Sequence, residues 1–137
     1  MALNLREILF RGKREDIGDW VEGYYVLNVY LRGTIEEEVF PTIQPFGRHS
    51  YTVIPGTVGQ YIGKADKTGV KIFEGDILKG AWDDLIVVYY DPCYLGFRVR
   101  TKSGEERDLD YYDNGKLVVV GNIYDNPDLL KGVGDGV

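Results

Sequence analysis

Acidic side chains crowd a short stretch toward the C-terminal end of the chain and could bind a cation. The stretch contains Glu105, Glu106, Asp108, Asp110 and Asp113. Clustered carboxylates bind Ca²⁺ when they follow the spacing of an EF-hand loop. With Asp110 at the first position Gly115 is correctly placed, but Tyr112 and Gly121 occupy two positions that must supply oxygen ligands. We therefore predict a solvated face and no metal site here.

The chain has one histidine, His49, and one cysteine, Cys93. A Cys–His nucleophile needs a third group to orient it, and a zinc site with one of each would depend on carboxylates. Cys93 follows an Asp-Pro pair, so we expect a half-buried side chain near a turn. Paired acids for hydrolysis stay open, because Asp83, Asp84 and Asp91 could approach other acids in space. We predict no catalytic, metal-binding or cofactor-binding residue and no cofactor.

Glycine recurs through "VGQYIGKADKTGVKIFEGDIL", residues 58–78, as in a loop that could bind a ligand. A phosphate-binding loop needs its glycines to open a helix, but these precede strand-like runs, and no lysine occupies the Walker position. We read 66–69 as a polar turn closed by Gly69, and Gly75-Asp76 as a second tight turn. The segment is predicted to be structural.

Tyrosine is abundant, with 11 in the chain, and three adjacent pairs stand at 24–25, 89–90 and 111–112. Neighbours on a strand point to opposite faces, so each pair should send one ring inward and one outward. Outward rings could stack on bases or sugars or line a protein interface, and they could equally cover a sheet.

The elements that must position these residues are strands almost throughout. Residues 20–31 predict a long strand with a bulge at Gly23, and residues 50–55 predict a short strand. The alternation over 94–101 predicts a half-buried strand, and the unbroken apolar run 85–90 predicts a strand buried on both faces. Pro41 and Pro45 should confine the segment 36–45 to a sheet edge. Asn114-Gly115 predicts a hairpin turn between two strands, and Asn126 should cap a helical turn over 126–131.

Several short strands after Gly75-Asp76 are typical of a small barrel. We therefore predict an all-β fold with minimal helix: a small, partly closed SH3-like barrel in the C-terminal half, with additional N-terminal strands packed against it. The expected organisation is a single domain, 1–137, with an N-terminal β-part over about 1–56, a barrel part over about 57–124, and a C-terminal turn of helix and tail over 125–137.

Three blocks occur in order along the chain: "REILFRGKREDIGDWVEGYYV" (6–26), "TVGQYIGKADKTGVKIFEGDIL" (57–78) and "VVGNIYDNPDLL" (119–130). They resemble the opening, core and ending patterns of the YopX family of phage and prophage proteins. Ile62 stands where the family usually has threonine, and Lys64 where leucine is common. The resemblance implies a β-rich fold and a phage or mobile-element origin. It implies no catalytic residues, because the family has no established activity.

Charge limits the classes of partner. The net charge of -6 argues against a general nucleic-acid binder and against docking on an anionic membrane. Without a long apolar run or an apolar N-terminal stretch, the chain is expected to be cytoplasmic. We predict a non-enzymatic interaction module that binds itself, most simply as a dimer, or a host or phage protein. A nucleic-acid-binding barrel using Arg6, Arg11, Lys13 and Arg14 is one alternative, and a hydrolase using clustered acids is a weaker one.

Overall fold

The computed structural model describes residues 6–32, 36–80, 84–112 and 115–131. These residues form antiparallel strands in two sheets with very little helix, so the all-β prediction is confirmed. The chain divides into two compact units, Met1–Tyr61 and Ile62–Val137. None of the described helices is long and apolar enough to cross a membrane.

The first unit is an antiparallel sheet with the strand order β4-β3-β2-β1-β5. Its strands are β1 Phe10–Lys13, β2 Trp20–Arg32, β3 Glu36–Gln44, β4 Tyr51–Thr52 and β5 Gly59–Ala65, the last of which continues into the second unit. A 3-10 turn, Pro55–Thr57, precedes β5. Ile43 and Val53 are fully buried, and Gly12 allows β1 to lie closely against Val53.

The long strand predicted at 20–31 is confirmed as β2, but the bulge at Gly23 is wrong. Pairing with β1 runs without a shift from Lys13 opposite Trp20 to Phe10 opposite Gly23. Gly23 is needed for another reason, because a Cβ there would collide with the backbone of Gln44 on β3. The glycine therefore marks a close approach of two strands.

The prediction that 36–45 lies at a sheet edge is correct for only about half of this segment, residues 36–40. β3 lies between β2 and β4, but it pairs with β4 only through Thr42 and Ile43. Pro41 lacks an N–H, and its carbonyl accepts the Val53 N–H at 3.0 Å, so proline is accommodated beside a paired stretch. Residues 36–40 pair with β2 on one side, and no described strand lies on the other.

The second unit contains a five-stranded sheet with the order β10-β9-β8-β7-β11. Its strands are β7 Asp76–Lys79, β8 Leu85–Asp91, β9 Gly96–Thr101, β10 Glu106–Arg107 and β11 Val118–Asn122. A further strand, β6 Lys71–Phe73, lies next to β5 and precedes this sheet in the chain. Among the described residues β10 and β11 are the two outermost strands of this sheet, and they do not pair with each other. The sheet is therefore not a closed barrel.

One apolar cluster forms the core of the second unit. Its buried members are Ile72, Leu78, Ile86, Val88, Val99, Tyr112 and Leu117. Along β8 burial alternates, with Ile86 and Val88 inside and Val87 and Tyr89 only half-buried. The prediction that 85–90 is buried on both faces is therefore wrong: one face meets the core and the other is partly open.

The predicted Asn-Gly hairpin is also wrong. Leu109–Tyr112 forms a short helix, α1, and the strand that follows Gly115 pairs with β7 instead of with a strand just before it. The spacing explains the change, because Leu109 and Tyr112 lie three residues apart and both pack on the core. Asn114 lies outside the described residues, and Gly115 has a positive φ of 79°.

The C-terminal helical turn is confirmed as a 3-10 turn, Pro127–Leu130, with Asn126 at the predicted N-cap position. The Asn126 side chain makes no capping bond to this turn; its Oδ1 accepts the Asn122 N–H at 3.1 Å. The frayed tail expected over 132–137 lies outside the described residues.

Candidate functional site

The acidic stretch of β10 and its neighbours is largely paired with arginine. Arg100 Nη2 lies 3.0 Å from Glu106 Oε1, and Arg107 Nη2 lies 3.2 Å from Glu105 Oε2. Asp113 lies outside the described residues. Within the described residues, no group of three or more His, Cys, Asp or Glu side chains is placed to hold a metal ion. Glu106 thus balances a cation on the neighbouring strand β9, and Glu105 balances one on β10 itself.

Arg98, at the centre of this network, is largely buried. Its Nε lies 3.2 Å from Asp108 Oδ1, its Nη1 lies 3.6 Å from Asp91 Oδ2, and its guanidinium stacks 4.0 Å from the centre of the Tyr94 ring. Asp91 also accepts the Cys93 N–H at 2.9 Å. Asp91 thus fixes the β8–β9 turn and neutralises a buried cation, which are structural tasks.

The remaining candidates for chemistry do not form a site. His49 and Cys93 are both exposed, His49 in the first unit and Cys93 in the second. The half-buried position expected for Cys93 is wrong, because the turn after Asp91 points its residues to solvent. Asp83 lies outside the described residues. Asp84 lies beside Gly80, whose N–H donates to the Asp84 carbonyl at 3.2 Å.

Asp66 ties the glycine-rich hairpin to the last strand. Its Oδ1 accepts the N–H groups of Thr68 and Val70 and the Thr68 hydroxyl at 2.7–3.0 Å, and its Oδ2 accepts the Val119 N–H at 2.9 Å. Burial raises the pKa of this carboxyl, but the hydrogen bonds outweigh burial and lower the pKa from 3.8 to about 2. A carboxylate this fully used has little capacity left for a ligand.

The Gly75-Asp76 turn is likewise structural. Gly75 has a φ of +87°, and a Cβ on it would lie 3.0 Å from the Tyr124 ring. Its N–H donates to the Val88 carbonyl at 2.8 Å, and buried Asp76 accepts the Phe73 N–H at 2.8 Å. The turn therefore joins three parts of the second unit. This geometry favours structure as the reason for the glycines in 58–78.

The Gly-Asn and Asn-Pro pairs near the end form one interlocked turn. Asn122 Oδ1 accepts the N–H groups of Tyr124 and Asp125, and Asn126 accepts the Asn122 N–H. Gly121 leaves the room for this, since a Cβ there would lie 2.6 Å from Asn126 Oδ1. Sequence reasoning missed this turn, although the Gly-Asn spacing was its signal.

The basic N-terminal run is engaged with aromatic rings. Arg11 lies over the Trp20 ring at 4.7 Å, and Arg14 over the Tyr51 ring at 4.3 Å. Arg14 also pairs with Asp16 at 2.7 Å. Cations held in this way are less available for phosphate contacts than a free basic patch would be.

The tyrosine pairs differ from one another. Tyr112 is buried while Tyr111 is exposed, as predicted, although both lie on α1 and not on a strand. On β8 Tyr89 is half-buried and Tyr90 exposed. Tyr24 and Tyr25 are both exposed, so the prediction that one ring of each pair points inward is wrong for this pair. The exposure of both rings shows that β2 carries large apolar side chains on the surface.

The β2–β3 ribbon, defined as Tyr24–Arg32 paired in register with Glu36–Gln44, exposes apolar side chains on both faces. Its exposed apolar residues, each 37% to 55% accessible, are Tyr24, Tyr25, Val26, Leu27, Val29 and Val39. Four of them are consecutive, so they point alternately to the two faces. Toward the end of β3 the ribbon is partly covered, because Thr42 and Ile43 are buried and the Phe10 ring lies 5.7 Å from that of Tyr25. The most exposed part is centred on Leu27, Val29 and Val39.

The ribbon is well connected despite this exposure. The Thr42 hydroxyl donates to the Val26 carbonyl at 2.7 Å, and the Asn28 amide donates to the Thr42 hydroxyl at 3.3 Å. Large exposed apolar patches on folded proteins mark interaction sites. Of all the described surfaces, this ribbon is the strongest candidate for binding another protein.

Comparisons with known proteins identify a family and a similar fold. A family model described as YopX protein matches residues 9–131. The chain is also similar to protein EF1440 from Enterococcus faecalis, with 20% identity, a TM-score of 0.56, and 91% of this chain and 99% of that chain covered. At this identity the likeness is one of fold alone. A comparison with curated proteins found no match.

Proposed function

The chain belongs to the YopX protein family, and we propose that it is a phage- or prophage-encoded accessory protein acting as a non-enzymatic protein-interaction module. The observation that carries this proposal is the β2–β3 ribbon, which exposes apolar side chains on both faces. A two-stranded ribbon is marginal by itself, so covering it with a partner would stabilise it. The phage origin rests on the family resemblance.

The proposed partner is a second copy of the chain. Residues 36–40 have β2 on one side and no described strand on the other, so their outer backbone groups can pair with another strand. Antiparallel pairing of two such edges would give a closed dimer in which each copy uses the same surface. It would also bring the exposed Val39 of each copy near the centre of the contact.

The absence of enzymatic activity is part of the proposal, and three observations support it. Asp66 and Asp76 are hydrogen-bonded within their turns. Arg98 holds Asp91 and Asp108. His49 is exposed, and among the described residues no hydrogen bond or ion pair joins it to an orienting group. A hydrolase would need a free acid and base poised over a cavity.

We infer further that the second unit is a partly closed SH3-like barrel. Four strands, β7 to β10, follow one another as neighbours; the short helix α1 comes next, and β11 then returns to pair with β7. Such a return brings the last strand beside the first, as partial closure requires. The strand order and the shared core support this inference.

Light scattering after gel filtration tests the proposed dimer. At micromolar concentration the parent chain should have twice the 15.5 kDa mass of one copy. Val39→Lys should weaken association, because it places charge in the contact. Val70→Lys is the matched control, since Val70 is 50% exposed, close to the 48% of Val39, but lies in the second unit. A monomeric parent chain would remove the dimer from the proposal.

Fluorescence anisotropy separates this function from nucleic-acid binding. Labelled single- and double-stranded DNA and RNA should show no micromolar binding to the parent chain, whose net charge is -6. Binding that falls steeply with added salt would instead favour the nucleic-acid alternative.

A further inference from the structure

A second, smaller surface lies on the outer face of the β8–β9 pair, within the second unit. It is a cleft of about 290 Å³. Val87 and Tyr89 form its floor, since they lie two residues apart on β8 and face away from the buried Ile86 and Val88. Ile123 and Leu130, from the segment after β11, form an apolar wall. The cleft is large enough for a side chain or two and small for a drug-sized ligand.

The rim of the cleft is cationic. Arg100, opposite Val87 in the strand register, lies 4.5 Å above the centre of the Tyr89 ring and contacts Glu106 at 3.0 Å. Lys102 also lines the rim, is exposed, and has no partner among the described residues. With Glu106 matched to Arg100, one positive charge is left over. A cationic rim on a chain of net charge -6 favours an anionic ligand.

An unsatisfied polar group adds a second observation. Tyr89 lines the cleft, and its hydroxyl is buried without a hydrogen-bond partner among the described residues. Burial is the largest cause that raises the pKa of this phenol, and the nearby carboxylates of Glu106 and Asp91 raise it further. The phenol therefore stays neutral and can donate a hydrogen bond. Buried polar groups are normally paired, so a lone hydroxyl beside a cleft suggests that a ligand oxygen completes it.

We infer that this cleft binds an acidic peptide segment of a partner protein, which inserts one aliphatic side chain between Tyr89 and Leu130. The apolar floor and wall take the side chain, and the rim attracts a flanking carboxylate. The site is independent of the β2–β3 ribbon, because its lining belongs entirely to the second unit.

Four short peptides, titrated into the ¹⁵N-labelled full chain and followed by ¹H–¹⁵N correlation NMR, test this inference. Acetyl-Asp-Leu-Asp-amide carries both features. Acetyl-Asn-Leu-Asn-amide lacks the charge, acetyl-Asp-Gly-Asp-amide lacks the aliphatic side chain, and acetyl-Lys-Leu-Lys-amide reverses the charge. The first should bind most tightly and shift the amides of Lys102, Ile123 and Leu130. Loss of the aliphatic side chain should weaken binding about tenfold.

Two variants and one control locate the site. Lys102→Glu should weaken binding of the acidic peptide about fivefold, whereas Lys116→Glu, an exposed lysine that does not line the cleft, should not. Leu130→Asp should weaken the acidic and neutral leucine peptides alike, and an unchanged melting temperature shows that it still folds. Equal binding of all four peptides, or equal effects of the two lysine variants, would overturn the inference.

Discussion

The core of the second unit and the β2–β3 ribbon are built from the same kinds of residue and are used differently. Leu78 on β7 is fully buried in the core, whereas Leu27 on β2 is 50% exposed. Both lie in antiparallel strands that contain neighbouring aliphatic residues, Ile77 beside Leu78 and Val26 beside Leu27. The difference lies in the packing: Leu78 belongs to the apolar cluster of its unit, and Leu27 lies outside that cluster. One region stabilises the fold, and the other presents a surface.

Polar side chains follow the same division. In the second unit Asp66, Asp76 and Asn122 satisfy backbone N–H groups at turns, and all three lie in the segments that resemble the YopX patterns. Of the ribbon's exposed apolar residues, Leu27, Val29 and Val39 lie outside those segments, whereas Tyr24, Tyr25 and Val26 lie in the first of them. The hydrogen-bonding turns of the second unit therefore lie in family-like sequence, and the ribbon lies in it only in part.

Truncation of one leucine in each region tests this division most strongly. Leu78→Ala should lower the free energy of unfolding by about 2–5 kcal/mol, because it leaves a cavity in a packed core. Leu27→Ala should change it by less than about 0.5 kcal/mol in dilute, monomeric protein. Urea denaturation followed by circular dichroism measures both. Equal losses would mean that the ribbon is part of a core.

Changes at the Gly75-Asp76 turn should have the next largest effect. Gly75→Val and Asp76→Ala should each cost on the order of 1–3 kcal/mol, the first through strain at positive φ and contact with Tyr124, the second through a lost buried hydrogen bond. Gly63→Val is the matched comparison: Gly63 also has a positive φ but has open space around it, so this variant should show the backbone strain without the contact with Tyr124. If both turn variants melt with the parent chain, the turn is not structural.

Acid should weaken the second unit through Asp66. Its pKa is lowered from 3.8 to about 2, so its contribution is fully present above pH 3.8 and is lost as the pH falls through about 2. Asp66→Asn should lose about 1–2 kcal/mol at neutral pH, a modest figure for hydrogen bonds near the surface. The gap between parent and variant should narrow between pH 4 and pH 2. A constant gap would contradict the assigned hydrogen bonds.

Removal of the lone phenol hydroxyl in the cleft should have a small effect of opposite sign. Tyr89→Phe should leave stability unchanged or raise it by up to about 1 kcal/mol, because a buried hydroxyl without a partner is removed. Tyr90→Phe, at an exposed ring on the same strand, should change nothing. A clear loss of stability in Tyr89→Phe alone would mean that the hydroxyl is hydrogen-bonded in the free protein.

Metal ions should have no effect on either region. Thermal melts with EDTA and with Ca²⁺, Mg²⁺ or Zn²⁺ should superimpose, since no described acid cluster is arranged to hold an ion. A rise of many degrees with one ion would contradict this, because selective binding to the native state raises stability.

Local sequence signals predicted most strands and the two turns that use Asp66 and Gly75. They failed where neighbours in space decide the outcome. Leu109 and Tyr112 belong to a string that reads as a strand, yet their spacing lets a single helical turn reach the core. The exposure of Tyr24 and Tyr25 could not be read from the sequence, because an apolar strand is indistinguishable from a core strand until its neighbours are known. The cleft lined by Val87 and Leu130 required segments distant in sequence to meet.

Hydrogen exchange at two protein concentrations tests the central claim most directly, because it reports on both regions in one experiment. Backbone amides in 36–40 that point away from β2 should exchange markedly more slowly at high micromolar than at nanomolar concentration, as this edge pairs with a second copy. Amides of Ile86 and Val87, which pair with β7 on one side and β9 on the other, should exchange at the same rate at both concentrations. Exchange in 36–40 that is independent of concentration would contradict the account of the ribbon as the surface for self-association.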